Sequence, residues 1–217
     1  MFNFIYRDIS AVTRHFASAL GLSFAVLACS LTTACDPITG TVIGAGATVG
    51  VASAEDRGVE GAVDDTKIRL QINELWFHED NEMFRDVSMT VNEGRVMLTG
   101  TVSKPEMRVN AVRLSWQAAG VREVIDEIEV TDQTGISDYA NDVWIANKLR
   151  SYLMFDDKIK NINYTVDAVN GTLYLMGVAQ NQDELDRVVA HARDISGVKR
   201  VVNHVLLKSD PSRRSAG

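Results

Sequence analysis

Trp144 and Lys148 stand four residues apart in Asn141-Asp142-Val143-Trp144-Ile145-Ala146-Asn147-Lys148-Leu149-Arg150-Ser151, which puts an indole and an ammonium on one side of a helix. With Trp144 at zero on a wheel of ~100° per residue, Ile145, Leu149 and Leu153 fall at about 100°, 140° and 180° and form a core stripe. On the same wheel Lys148 falls at about 40°, Tyr152 at about 80°, Ser151 at about 340° and Asn147 at about 300°. Trp144 thus stands off the core stripe, sharing a face with Lys148 and Ser151, flanked by Asn147 and with Tyr152 at its edge. That face suits a phospholipid surface, where the ring sits at headgroup level and the lysine meets phosphate. The plainer alternative is that Trp144 packs on a neighbouring domain.

The other reactive side chains point to little chemistry. Cys29 and Cys35 are the only cysteines, six residues apart at the end of an apolar run. They could close a disulfide in an exported protein or offer a lipidation site. Val26-Leu27-Ala28-Cys29 has the better local pattern, with an apolar residue three before the cysteine. Thr32-Thr33-Ala34-Cys35 is better placed at the end of the whole run. His78 and His204 have no second histidine at metal-ligand spacing, and His191 lies on a helix beside Arg193. There is no Gly-x-Ser-x-Gly elbow, and past Cys35 no cysteine nucleophile. The acidic groups Glu79, Asp80, Glu82 and Asp156, Asp157 lack the alternate spacing of a calcium loop and read as solvated helix exits. Gly44-Ala-Gly46-Ala-Thr-Val-Gly50 is one residue too long for a dinucleotide fingerprint, and no strand precedes it. A catalytic role, a metal and a cofactor are therefore not expected.

The elements that position these residues come as a duplication. At a fixed offset of 77 residues, Asp65 pairs with Asp142, Ile68 with Ile145, Gly94 with Gly171, Leu98 with Leu175, Gly100 with Gly177 and Gly120 with Gly197. The repeated positions are mostly glycines and apolar residues, the ones that a backbone and a core require. In the first unit, Asp64 and Asp65 are expected to cap a helix whose stripe is Ile68, Ile72, Leu75 and Trp76. Val87, Met89 and Val91 form a strand, Asn92-Glu93-Gly94 a hairpin turn, and Val96 to Gly100 the return strand. Ser103 is expected to cap a second helix that turns Val109, Val112 and Trp116 inward and stops at Gly120. A strand from Val121 to Val130 closes the unit. Asp142, Asn170-Gly171, Gln182 to Ile195 and Val198 to Leu207 repeat the plan. The predicted class is α+β: two tandem α-β-β-α-β domains, each a three-stranded mixed sheet with two helices packed on one face.

Ahead of the repeats, Arg7 and Arg14 precede an apolar run from Phe16 to Leu31. It is shorter than the ~18–20 strongly apolar residues of a spanning helix and ends in small residues, as an export signal does. Residues 37–61 are rich in Gly, Ala, Val, Thr and Ser and read as a tether.

The hairpin glycines, the Leu-x-Gly ends of Val96-Met97-Leu98-Thr99-Gly100 and Leu173-Tyr174-Leu175-Met176-Gly177, and the pairs Gly120-Val121 and Gly197-Val198 resemble tandem BON domains. So do Val63-Asp64-Asp65, the Asn141–Ser151 segment and Ser196-Gly197-Val198-Lys199-Arg200-Val201. The resemblance covers everything after the signal. It implies a Gram-negative envelope lipoprotein whose second domain binds anionic phospholipid and supports outer-membrane integrity, and the helical wheel assigns the contact to Trp144, Asn147, Lys148, Ser151 and Tyr152. It also selects Cys35 as lipid anchor, because in the family the lipidated cysteine directly precedes the Gly/Ala tether. Asp36 resembles an inner-membrane retention signal of some enterobacteria and leaves the choice of membrane open, the outer one being favoured. The boundaries implied are a signal over 1–34, the lipidated cysteine and tether over 35–62, BON domains over 63–132 and 138–208, and a disordered tail over 209–217. Partners would be an anionic membrane and envelope proteins such as outer-membrane assembly or division factors. The alternative is a periplasmic protein–protein adaptor held by its lipid, without headgroup recognition.

Charge agrees with this division. Residues 64–132 carry 8 Lys and Arg against 14 Asp and Glu, a net of −6, whereas residues 138–217 carry 11 against 10, a net of +1. The whole chain, at −7, is a poor nucleic-acid binder, and only its second half can approach an anionic surface without sizeable repulsion.

Overall fold

The computed structural model describes residues 53–131 and 136–213, the side chains of 136 and 137 excepted. The signal segment, Cys29, Cys35, Asp36 and the Gly44–Gly50 stretch lie outside the described residues. The first unit runs α1 (Gly58–Glu79), α2 (Asn81–Asp86), β1 (Val87–Asn92), β2 (Arg95–Val102), α3 (Pro105–Ser115) and β3 (Glu123–Val130). The second runs α4 (Ile136–Phe155), a 3₁₀ turn (Asn161–Asn163), β4 (Tyr164–Val169), β5 (Thr172–Ala179), α5 (Gln182–Arg193) and β6 (Arg200–Leu207). Each sheet has its hairpin return strand in the middle: β1 and β4 pair antiparallel with β2 and β5, and β3 and β6 join them parallel. The hairpins turn on Glu93-Gly94 and Asn170-Gly171, all four residues at positive φ. That geometry matches the twist of the flanking strands.

α1 and α3 cover one face of the first sheet. Ile68, Ile72 and Trp76 meet Met107, Ala111 and Leu114 over Val96, Leu98 and Ile128. Ile145, Leu149, Leu153, Leu185, Val188 and Ala192 do the same over Leu173, Leu175 and Val205. The buried Trp76 indole donates to the Ala111 carbonyl at 3.3 Å.

Neither first helix starts at its aspartate. α1 begins at Gly58 and α4 at Ile136, so Asp65 and Asp142 sit inside helices and are buried. Their carboxylates are spent on the hairpin turns instead. Asp65 accepts from the backbone N–H groups of Glu93 and Gly94, both at 2.9 Å, and Asp142 from those of Asn170 and Gly171, both at 2.7 Å. A tight turn leaves two N–H groups pointing inward, and a carboxylate one layer away satisfies both.

α3 also departs from the sequence expectation. Lys104, not Ser103, occupies the cap position and makes no side-chain cap bond, because Pro105 starts the helix one residue later. Val109 and Trp116 are exposed, while Met107, Ala111, Leu114 and Ser115 are buried. Two apolar stripes compete on this helix, and periodicity alone cannot choose between them. Asp80 caps the short helix α2, accepting from Glu82 N at 2.8 Å, where the sequence predicts only a solvated loop.

The sheet faces turned away from the helices meet each other. Met97 and Ile125 of the first sheet pack with Tyr174 and Met176 of the second in a separate apolar cluster. The result is four layers: helices, sheet, sheet, helices. Polar contacts fringe the cluster: Arg95 donates to the His204 carbonyl at 2.9 Å, Asn170 to Glu129 at 2.7 Å, and Thr99 to Asp167. The His204 ring lies 2.8 Å from Glu127.

Both ends of the described chain are drawn into this assembly. Asp56, in the segment read from sequence as tether, takes Lys208 at 2.9 Å, Lys160 at 3.4 Å and the side-chain amides of Asn163 and Gln180. Burial alone would raise its carboxyl, but these partners together bring it down to about 2. Residues 209–213, predicted to be part of a disordered tail, fold back on the first unit. Arg213 pairs at 2.6 Å with Glu93, whose carboxylate is nearly buried and needs a cation.

Candidate functional site

The outward side of α4 carries the residues that the sequence singles out. Ile145, Leu149 and Leu153 are buried and fix the rotation of the helix, which leaves Trp144 half exposed at 50%. Lys148 lies one turn on, with its Nζ 5.1 Å from the centroid of the Tyr152 ring, a cation–π contact. Among the described residues it is paired with no carboxylate. Asn147 and Ser151 are exposed on the same side, but their polar groups are partly occupied. The Ser151 hydroxyl donates to the Asn147 carbonyl at 2.9 Å, and the Asn147 Oδ1 accepts from Arg150 at 2.9 Å. Trp144 is thus half exposed beside a lysine that lies over the Tyr152 ring, and Asn147 and Ser151 line the other side of the indole.

The wheel misses the helix end. Met154 and Phe155 are 64% and 85% exposed, and Val143 stands beside Trp144 at 42%. With Trp144, the exposed Phe155 and Met154 add apolar surface to this side of the helix. The signal was present as an apolar pair just before the acidic loop Asp156-Asp157, past the last core residue of the stripe.

Tyr152 reaches across to α5. Its ring centroid is 5.7 Å from that of His191, and His191 Nε2 lies 2.8 Å from Asp156 Oδ2. The hydrogen bond to His191 is the largest cause holding the Asp156 carboxyl below its usual range.

A cleft of about 790 Å³ lies elsewhere, between α1, the Glu93-Gly94 turn and the C-terminal segment. Several of its charged side chains are paired with one another: Arg57 with Asp65 at 2.9 Å, Lys67 with Asp64 at 3.0 Å, Arg213 with Glu93 at 2.6 Å. Among the described residues no helix is long and apolar enough to cross a membrane, and no group of three His, Cys, Asp or Glu side chains is placed to hold a metal.

Two copies of a three-stranded mixed sheet, each covered by two helices, define the class. The BON domain family matches residues 64–132 and 141–209, and this chain belongs to it as a tandem BON-domain protein. Among curated relatives, an uncharacterized protein in the gshII 5′ region of Anaplasma centrale is 38% identical over 153 residues, 70% of this chain and the whole of that one. The outer membrane lipoprotein DolP of Haemophilus influenzae is 26% identical over 163 residues, 74% of this chain and 83% of the relative. Osmotically-inducible protein Y of Escherichia coli is 26% identical over 148 residues, 67% of this chain and 74% of the relative.

Proposed function

We propose that this chain is a non-catalytic envelope lipoprotein that lays the outward face of α4 on anionic phospholipid and supports outer-membrane integrity. The observation that carries the reading is one surface: Trp144 half exposed, Lys148 one turn away without a carboxylate partner among the described residues, and Met154 and Phe155 bare at the end of the same helix. Apolar side chains that insert and a cation that meets phosphate are what an anionic interface rewards. The relatives named for the outer membrane and for osmotic induction support an envelope setting. The first domain, at a net −6, stands off an anionic surface. Its outward helix face bears exposed Val63, Leu70 and Phe77, which favours a protein partner for that half.

The test is cosedimentation of the unlipidated fragment 53–213 with anionic and zwitterionic vesicles. Binding should be selective for the anionic ones. Trp144→Glu should weaken it at least several-fold with circular dichroism unchanged, each ~1.4 kcal/mol being a factor of ten. Lys148→Ala should weaken it less, and the difference should shrink as salt rises, since surface charge is screened over ~8 Å at physiological ionic strength. A folded Trp144→Glu fragment that binds as well as its parent would remove this face from consideration and put the adaptor role first.

The anchor is proposed on Cys35. Cys35→Ser should shift the full-length protein from the membrane to the soluble fraction or leave its signal unprocessed. Acyl labelling that survives Cys35→Ser and vanishes in Cys29→Ser would move the anchor to Cys29.

A further inference from the structure

We propose that the headgroup site continues from α4 onto α5, where Arg187 and His191 form a phosphate notch that Asp156 occupies as an internal stand-in. This rests on the lipid reading of α4 and names groups outside it. Arg187 and His191 are four residues apart, on one side of α5. Both turn to a single oxygen: Asp156 Oδ2 lies 2.8 Å from His191 Nε2 and 3.6 Å from Arg187 Nη1. Two nitrogen donors converging on one carboxylate oxygen can hold a phosphate oxygen in the same place. The notch is open, with the Arg187 side chain 42% exposed and that of His191 33%.

It is also continuous with the α4 face. Lys148 lies on the Tyr152 ring, the Tyr152 ring lies on His191, and His191 leads to Arg187. The four side chains make one strip of cations and aromatic rings across both helices. Asp156 immediately follows Phe155 at the end of α4 and is tied there by Lys158 N at 3.1 Å. It therefore neutralises the notch and opposes an incoming phosphate. An approaching bilayer must displace Oδ2, and this gives the site a built-in brake on binding.

The decisive variants remove the brake and then the notch. Asp156→Asn should tighten binding of the 53–213 fragment to anionic vesicles about five-fold, because it frees two donors close to the surface. Asp157→Asn makes the same change in net charge one residue away and should give about two-fold or less. His191→Gln or Arg187→Gln, added to Asp156→Asn, should return binding to the parent's level. Zwitterionic vesicles should show no gain from any of them.

Equal gains from Asp156→Asn and Asp157→Asn, or a gain that His191→Gln and Arg187→Gln leave untouched, would reduce the effect to net charge and overturn the notch. The lipid reading of α4 would stand in that case, provided that Trp144→Glu still weakens binding several-fold. A parent fragment that fails to bind while Asp156→Asn binds would support a fully masked notch. Failure of both to bind would overturn the notch and the α4 reading together.

Discussion

Gly177→Ala should destabilise the second domain by about 3–5 kcal/mol, the combined scale of an L-residue strained at positive φ and an overpacked site. Gly177 sits in β5 at φ +140°, opposite Tyr164. A Cβ placed there would fall 1.9 Å from the Asn163 carbonyl oxygen and 3.0 Å from its carbon. Those are backbone atoms of the 3₁₀ turn that leads into β4 and cannot swing aside as a side chain can. Gly100 repeats the situation 77 residues earlier, with a Cβ 2.3 Å from the Asp86 carbonyl oxygen. Chemical denaturation followed by far-UV circular dichroism checks the expectation. A Gly177→Ala protein within about 1 kcal/mol of the parent would show that the β4–β5 crossing relaxes cheaply.

Met97→Asp should part the two domains. Met97 is fully buried between the sheets against Tyr174 and Met176, and an unpaired carboxylate there costs about 3–5 kcal/mol. The two helix-covered cores lie on the other sides of their sheets and are untouched by the change. Scattering should therefore show an expanded particle while the helical and strand signals persist, and unfolding should be broader than the parent's or split in two. An unchanged radius of gyration with one sharp transition would mean that the fringe contacts, such as Asn170 with Glu129 and Arg95 with His204, hold the sheets together without the apolar cluster.

The family fold was legible because its restraints are local and doubled. Ile68, Ile72 and Trp76, and Ile145, Leu149 and Leu153, announce their helices by spacing. The glycines repeat where the backbone needs them, as at Gly94 and Gly171 in the turns. Trp144 was legible as exposed because three core residues fix its helix. What escaped was long-range. The carboxylates of Asp65 and Asp142 look like caps in sequence, since nothing local shows the turn that they reach some 28 residues later. Val109 and Trp116 read as inward in sequence because α3 carries two apolar stripes, and only the packed sheet selects Met107, Ala111 and Leu114. The contact between the sheets did leave a trace. Leu173-Tyr174-Leu175-Met176 is an unbroken apolar run where a strand with one wet face would alternate. Arg187 and His191 gave no signal, since the carboxylate that joins them comes from another helix.

The fastening at Asp56 decides how this protein bears a pull. The chain enters the first domain at residues 56–58, yet Asp56 is tied to Lys160, Asn163, Gln180 and Lys208 of the second. Tension arriving from the N-terminal side is therefore delivered first to the far domain, across several bonds strained together, rather than peeling α1 from its end one turn at a time. The 20 residues between Cys35 and Asp56 let the two stand at most ~75 Å apart when fully extended. If the acyl chains sit on Cys35, that leash length is measured to the domain bearing Trp144. The reach of the α4 face over a membrane is then set by the leash alone and does not lengthen when the first domain unfolds under load.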